Sequence, residues 1–256
     1  MSNFYNVGSQ KYQIVRCQYD DILFGKEVYE LRESEDVSNH FQDEIALIDR
    51  LGQIAFCTFR GSYNQRIIHL LEENEFKFID DFIFLKIQKK KFSKLFKKNR
   101  ISIDVITGTP NQETIENINN IQKSVNEFST FQQDKRLASE ITSHRNVIKI
   151  KSLFTRENYM VFLVKNEEEK RYVAFLQFLI FDDHVIAENG AVDPSFQNLF
   201  VGAALYSYAF EYIFTYMNNI KNICVTFGLN NTRVMNMLLE MGGKIEGREV
   251  HLRKIK

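Results

Sequence analysis

Residues 192–202 read VDPSFQNLFVG, and their types and order suit the binding of an anion. Pro194 ends the segment HVIAENGAV, and Gly202 sits where a long apolar helical pattern begins, so that backbone or ligand can approach its first turn. A strand that runs through a short loop into a helix presents backbone N–H groups without intrahelical partners, which attract a phosphate by hydrogen bonding and through the macrodipole. The same residues also describe an ordinary helix start, because every helix has such an end. A second pair could move a proton. His184 and Glu188 stand four apart on one strand, hence on one face, and an imidazole or carboxylate can deprotonate a nucleophile. Glu188 is the better candidate base, and a cross-strand polar pair facing solvent is the competing reading.

The elements that must hold these residues are visible as pattern. Three segments, 158–166, 171–181 and 184–192, are joined by the short polar connections EEEK and DD and read as an antiparallel meander. A helix over roughly 196–217 follows, then the strand KNICVTFG, the helix NTRVMNMLLEM ending at Gly242-Gly243, and the closing strand IEGREVHLRKI. Upstream, ISIDVIT is a strand, and Thr109-Pro110 opens a helix with Thr109 as its cap. Nearer the N-terminus, KEVYELR and QIAFCTF are strands. Between them Phe41, Ile45, Ile48 and Leu51 stand at helical spacing. NQRIIHLLEEN is a helix capped by Asn64, and FKFIDDFIFLKI is a long strand. The basic run KIQKKKFSKLFKKNR (86–100) divides the chain into a smaller N-terminal α/β lobe, 1–98, and a larger domain, 99–256. It reads as a solvated connection, the alternative being a contact to the phosphates of a nucleotide.

Composition narrows the classes. Hydrophobic residues at 44% and charged residues at 26% permit a core, and 33 basic against 33 acidic residues argue against a surface built for nucleic acid. Cys17, Cys57 and Cys224 are far apart with no histidine cluster, so neither a metal site nor a disulfide framework is expected. No apolar run is long enough for a membrane span, and the N-terminus lacks a signal peptide's apolar segment. The expected setting is cytoplasmic.

Val192-x-Pro194, Gln197-Asn198-Leu199-Phe200-Val201-Gly202 and Leu205 resemble motif A of the GNAT acetyltransferases, V-x-P-x-x-(Q/R)-x-x-G-x-(G/A)-x-x-L. Asn231 followed by Gly242 is similar to their motif B, N-x-x-A-x-x-L-Y-x-x-x-G-F. The resemblance implies a GNAT α/β (α+β) fold, with a mixed, largely antiparallel central sheet flanked by helices and the smaller N-terminal lobe beside it. It implies acetyl-CoA as co-substrate and no metal. The pantetheine arm would lie where strands 184–192 and 222–228 splay, bonded near Ala191 and Val192. The pyrophosphate would lie on the backbone of Gln197, Asn198, Leu199, Phe200, Val201, Gly202 and Ala203, with Asn231 fixing the coenzyme or simply capping its helix. Two positions depart from the family. Phe200 replaces the first glycine, where a side chain crowds the pyrophosphate or reshapes the loop unless φ stays negative and the ring points away. Leu238 replaces the tyrosine that protonates the leaving thiolate, and Tyr206 and Tyr208 read as core aromatics rather than substitutes for it.

YDDILFGKEVYEL (19–31) and LLEENEFKFIDDFIFLKI, with Glu75 at a usual glycine, resemble a two-lobed GNAT group that acetylates dTDP-4-amino-4,6-dideoxygalactose. FSTFQQDKRLASEI (128–141) is similar to a further region of that group. The resemblance implies direct N-acetylation of a nucleotide-linked amino sugar for surface polysaccharide, with no nucleic-acid or membrane partner and a homodimer left open. Another small or protein amine, or a catalytically silent GNAT-like binding module, are the alternatives.

Overall fold

The computed structural model describes residues 3–7, 10–34, 42–96, 101–108, 110–125, 134–138, 141–142, 144–145, 147–148, 152, 154, 156–197 and 200–256. By contact the chain forms two compact units. One comprises 1–82, 133–141 and 247–256, and the other 83–132 and 142–246. This division differs from the lobes 1–98 and 99–256 read from the sequence: residues 83–98 group with the second unit and 247–256 with the first.

In the first unit, β1 (Asn3–Val7), β2 (Gln10–Arg16), β3 (Val28–Glu33), β4 (Phe56–Ser62) and β11 (Gly243–Ile255, from 247 onward) lie in that order. The C-terminal strand pairs antiparallel with β4 from Glu249↔Ser62 to Ile255↔Phe56, which is why the chain end groups here. Helices α2 (Glu44–Gln53) and α3 (Gln65–Glu73) cover one face, burying Leu47, Leu51, Ile67 and Leu71 against Leu31, Phe59 and Leu252. Asn64 caps α3 as expected, but α2 buries Leu47 and Leu51 while Ile45 is 68% exposed. Spacing alone does not choose between two overlapping apolar stripes on one short helix. Phe41 lies outside the described residues. Helix α1 (Gln18–Phe24) ends on Gly25 at φ +63°, and Asp21 accepts the Val28 N–H and pairs with Arg16.

In the second unit the order is β10 (Asn222–Gly228), β9 (His184–Val192), β8 (Arg171–Ile180), β7 (Tyr159–Asn166) and β6 (Ser102–Thr107), with β5 (Lys77–Gln88, from 83 onward) next to β10. The meander β7–β8–β9 is antiparallel as read, and β10 runs parallel to β9. Alternation along β8 divides the core in two. Leu176 and Phe178 pack with Leu205, Phe210 and Ile213 of α5 (Val201–Tyr216), while Phe175 and Leu179 pack with Ile118 and Ile121 of α4 (Gln112–Ser124). Both faces are covered, so these strands read as near-continuous apolar runs. Helix α4 is capped by Asn111, not Thr109, which lies outside the described residues.

The basic run is no free linker where it is described. Lys89 N–H donates to the Lys221 carbonyl (2.8 Å), Ser93 N–H to that of Met241 (3.0 Å), Lys94 pairs with Glu211 (2.6 Å), and Phe92 packs on Phe214. This tight seat explains Gly242-Gly243 after α6 (Thr232–Glu240). Gly242 has φ +88°, and a Cβ there would run into the Lys91 carbonyl. Gly242→Ala should therefore destabilise the chain by about 3 kcal/mol, whereas Gly52→Ala, in α2 with open space around it, should be neutral or stabilising by up to about 1 kcal/mol. Denaturant midpoints of the two variants test this; equal midpoints would contradict it.

Candidate functional site

Every side chain of the predicted site that can be described belongs to the second unit. Parallel pairing of β9 with β10 runs from Asn222↔His184 to Val225↔Ala187 and then stops, so the last residues of β9 have no β10 partner in the ladder. At that point β9 carries a bulge. Phe178 faces Ala187 and Gln177 faces Asn189, which leaves Glu188 as the extra residue. A bulge bends a strand and re-aims its side chains, and here it coincides with the parting of the parallel pair.

The bulge also changes the proposed acid–base pair. Ile186 and Asn189, three apart, lie on the same face, opposite Leu179 and Gln177, so even spacing no longer means a shared face across Glu188. His184 belongs to the paired end of β9, opposite Asn222, about 13 Å along the strand from Glu188 at ~3.3 Å per residue. Its ring stacks on Phe181 at 4.8 Å, and its Nδ1 is 2.9 Å from Asp183. That hydrogen bond, with the imidazole charge, holds the Asp183 carboxyl below its usual range. The structure thus does not bring His184 and Glu188 together.

After Val192 the loop is pinned by its own polar groups. Asp193 N–H donates to the Val173 carbonyl (2.8 Å), and the Asp193 carboxylate accepts the Ser195 N–H (2.9 Å) and the Arg171 guanidinium (2.8 Å). Pro194–Phe196 form a single 3-10 turn, Arg171 lies over the Phe196 ring, and Gln197 Nε2 donates to the Val192 carbonyl (3.2 Å). Asn198 and Leu199 lie outside the described residues. Phe200 follows with φ +57° and is 74% exposed. It keeps the left-handed backbone natural to glycine, against the negative φ that would have let it point away.

Helix α5 then starts at Val201, later than the expected 196, because the loop first makes its 3-10 turn. The Phe200 carbonyl accepts the Ala204 N–H (2.9 Å), so the N–H groups of Val201, Gly202 and Ala203 precede the first intrahelical donor. Asp43, Asn64, Asn111 and Asn231 cap α2, α3, α4 and α6 with their side chains, whereas no side chain caps α5. Gly202 is close to β9, since a Cβ there would meet Val192 Cγ2 at 3.3 Å. The arrangement is an open, partly positive helix end facing strand backbone, suited to an anion.

The remaining predicted residues have clear places. Asn231 Oδ1 accepts the Val234 N–H (3.3 Å), the capping alternative of its two readings. Leu238 is fully buried in the α5-side core and has no polar group to offer. Tyr206 packs edge-on against Phe210, and burial pushes its phenol up to about 12. Tyr208 packs on Phe162. Sequence reading missed the Arg171–Asp193 clamp, although Asp-Pro-Ser is itself a turn signal. It also missed Gln177 and Asn189 beside the bulge. Asn189 donates to Gln122 of α4 (3.2 Å), while the Gln177 amide, 1% exposed, has no hydrogen-bond partner among the described residues. Among the described residues there is no group of His, Cys, Asp or Glu suited to a metal and no helix long and apolar enough to cross a membrane.

Burial alone would raise the Asp193 carboxyl, but the bonds from Arg171 and the Ser195 N–H hold it below the ordinary 3.8. A depressed folded value means that its stabilisation is complete above the unfolded value and is lost as pH falls through the folded one. Asp193→Asn should lower stability at neutral pH by up to about 1 kcal/mol, given a half-exposed partner, and flatten the loss of stability below about pH 4. Thermal melts from pH 2 to 7 measure this; parallel profiles for the two proteins would contradict it.

Residues 123–242 match the Acetyltransferase (GNAT) family model. A functionally unknown conserved protein from Staphylococcus epidermidis is similar in structure, with TM-score 0.65 and 13% identity over 99% of this chain and 94% of that one. A GCN5-related N-acetyltransferase from Kribbella flavida gives 0.61 and 11%, over 99% and 89%. A tandem GNAT protein from the clavulanic acid biosynthesis pathway gives 0.61 and 8%, over 97% and 80%. At these identities the likeness is one of fold. A search of curated proteins gave no match. Over residues 123–242 the chain is similar to the GNAT acetyltransferases, which supports an acyltransferase enzyme.

Proposed function

We propose that this acyltransferase moves the acetyl group of acetyl-CoA to the amine of a nucleotide-linked amino sugar by direct attack. The observation that carries the coenzyme assignment is the uncapped N-terminus of α5, set behind a left-handed residue where β9 and β10 stop pairing. In this reading the N–H groups from Phe200 to Ala203 hold the pyrophosphate. The backbone of β9 near Ala191 and Val192 lines the pantetheine arm, with Gln197 already satisfying the Val192 carbonyl. Asn198 and Leu199, between Gln197 and Phe200 in the sequence, are assigned to the same role by the resemblance.

Acetyl transfer to an ammonium group requires loss of a proton before the nitrogen attacks the thioester. Glu188, re-aimed by the bulge at the point where the strands part, is the residue we assign to that step. His184, at the paired end, is the weaker assignment. Buried Leu238 donates no proton, but a thiol of pKa about 8.5 leaves readily enough for water to protonate it. No cysteine is needed as a nucleophile. Cys57, buried, has its thiol pushed well above the ordinary range by desolvation.

The nucleotide amino sugar, and with it a role in polysaccharide synthesis, rests on the resemblance of residues 19–31 and 70–87 to the two-lobed group; the cytoplasmic setting rests on the scattered cysteines and the absence of a long apolar run in the sequence. The buried Leu238 favours one alternative, a coenzyme-binding module without turnover; another amine as acceptor is the other.

Calorimetry with acetyl-CoA and thiol release with dTDP-4-amino-4,6-dideoxygalactose, a polyamine and a peptide amine test the reading. Wild type should bind saturably, and Gly202→Glu, which places a carboxylate at the anion site, should abolish binding while leaving the melt intact. Glu188→Gln should keep acetyl-CoA affinity and lower kcat by roughly 10²–10⁴-fold. Absence of acetyl-CoA binding by folded wild type would overturn the assignment, and binding without thiol release would favour the silent module.

A further inference from the structure

Three residues other than glycine have positive φ among those described: Glu75 (70°), Lys170 (53°) and Phe200 (57°). A left-handed backbone strains any residue with a Cβ, and bulky side chains are uncommon there. Two of the three are accounted for within the chain. Glu75 follows α3 and presents its carboxylate to Lys256 (3.1 Å) and Lys254 (3.4 Å), whose hydrogen bonds also hold it below the usual carboxylate range. Lys170 closes the turn between β7 and β8, where such a conformation is ordinary. Phe200 has neither account. It is the most exposed aromatic residue among the described ones, and among those residues no ring, cation or core contact engages it. A singly exposed apolar side chain is unremarkable. A phenylalanine that is both strained and exposed at a ligand-binding loop gains nothing from the fold itself.

We propose that the Phe200 ring is a stacking platform for the adenine of the coenzyme. This rests on the acetyl-CoA reading above. If the N–H groups of Val201 to Ala203 hold the pyrophosphate, the pantetheine arm runs back along β9. The adenosine, attached to the other phosphate, must then leave the loop outward. Phe200, the N-cap residue of α5, adjoins those N–H groups in the chain and is 74% exposed, open to a group that leaves the loop. Ring-on-base stacking suits a flat heteroaromatic partner and needs no hydrogen bond from the protein. The residue that replaces the family's glycine thereby becomes a coenzyme contact rather than an obstruction.

Phe200→Gly and Phe200→Trp decide the point, with calorimetry for acetyl-CoA and competition by 3′,5′-ADP and by 4′-phosphopantetheine. Phe200→Gly should raise the melting temperature, because glycine adopts this backbone without strain, and yet weaken acetyl-CoA and 3′,5′-ADP binding about tenfold. Phe200→Trp should retain affinity, and 4′-phosphopantetheine, which lacks the base, should bind all three proteins alike. Equal or tighter acetyl-CoA binding by Phe200→Gly would overturn the stacking role while leaving the coenzyme assignment intact. A loss shared equally by 4′-phosphopantetheine would overturn it too, assigning the effect to loop shape. Folded wild type that binds no acetyl-CoA would sink both.

Discussion

The candidate site depends on a single interruption: parallel pairing between β9 and β10 ends at Val225↔Ala187, where the bulge at Glu188 begins. Backbone groups in a sheet interior normally satisfy one another, so a strand that leaves its partner must find other uses for its polar groups. Here the bulge supplies the bend and the following loop supplies some of the bonds. Arg171 and the Ser195 N–H fix Asp193, and Gln197 folds back on Val192. Helix α5 begins close beside the departing strand, where a Cβ on Gly202 would meet Val192 Cγ2 at 3.3 Å. What remains open there is the N-terminus of α5, which no side chain caps.

Strain at Phe200 belongs to the same geometry. Phe200 takes its left-handed backbone at the N-cap of α5, where its carbonyl accepts the Ala204 N–H. Glu75, the other position at which a glycine of the resembled motifs is absent, is left-handed too, with φ +70°. In both places a residue with a Cβ takes the left-handed backbone that glycine adopts without strain.

Much of this was legible in the chain alone. The meander, the strand–loop–helix order around VDPSFQNLFVG and the cap at Asn64 follow from alternation, Pro194 and local side-chain chemistry, which depend on neighbours in sequence. The bulge was not, because HVIAENGAV alternates well enough to hide one extra residue, and the His184–Glu188 pairing fell with it. Nor was the place of the last strand, since its partner β4 lies nearly 200 residues away and no local signal names it. The buried face of α2 could not be chosen from spacing where two apolar stripes overlap: Leu47 and Leu51 are buried and Ile45 is exposed. Local rules reached the loop; the long-range pairings that aim it needed the structure.

The most direct test is amide hydrogen exchange on the full chain, read residue by residue with and without acetyl-CoA. The account predicts that exchange at Val201, Gly202 and Ala203 slows markedly on binding, while amides near His184 at the paired end of β9 are unchanged. Saturable binding that leaves those three amides unprotected would place the pyrophosphate elsewhere and contradict the assignment of the α5 terminus.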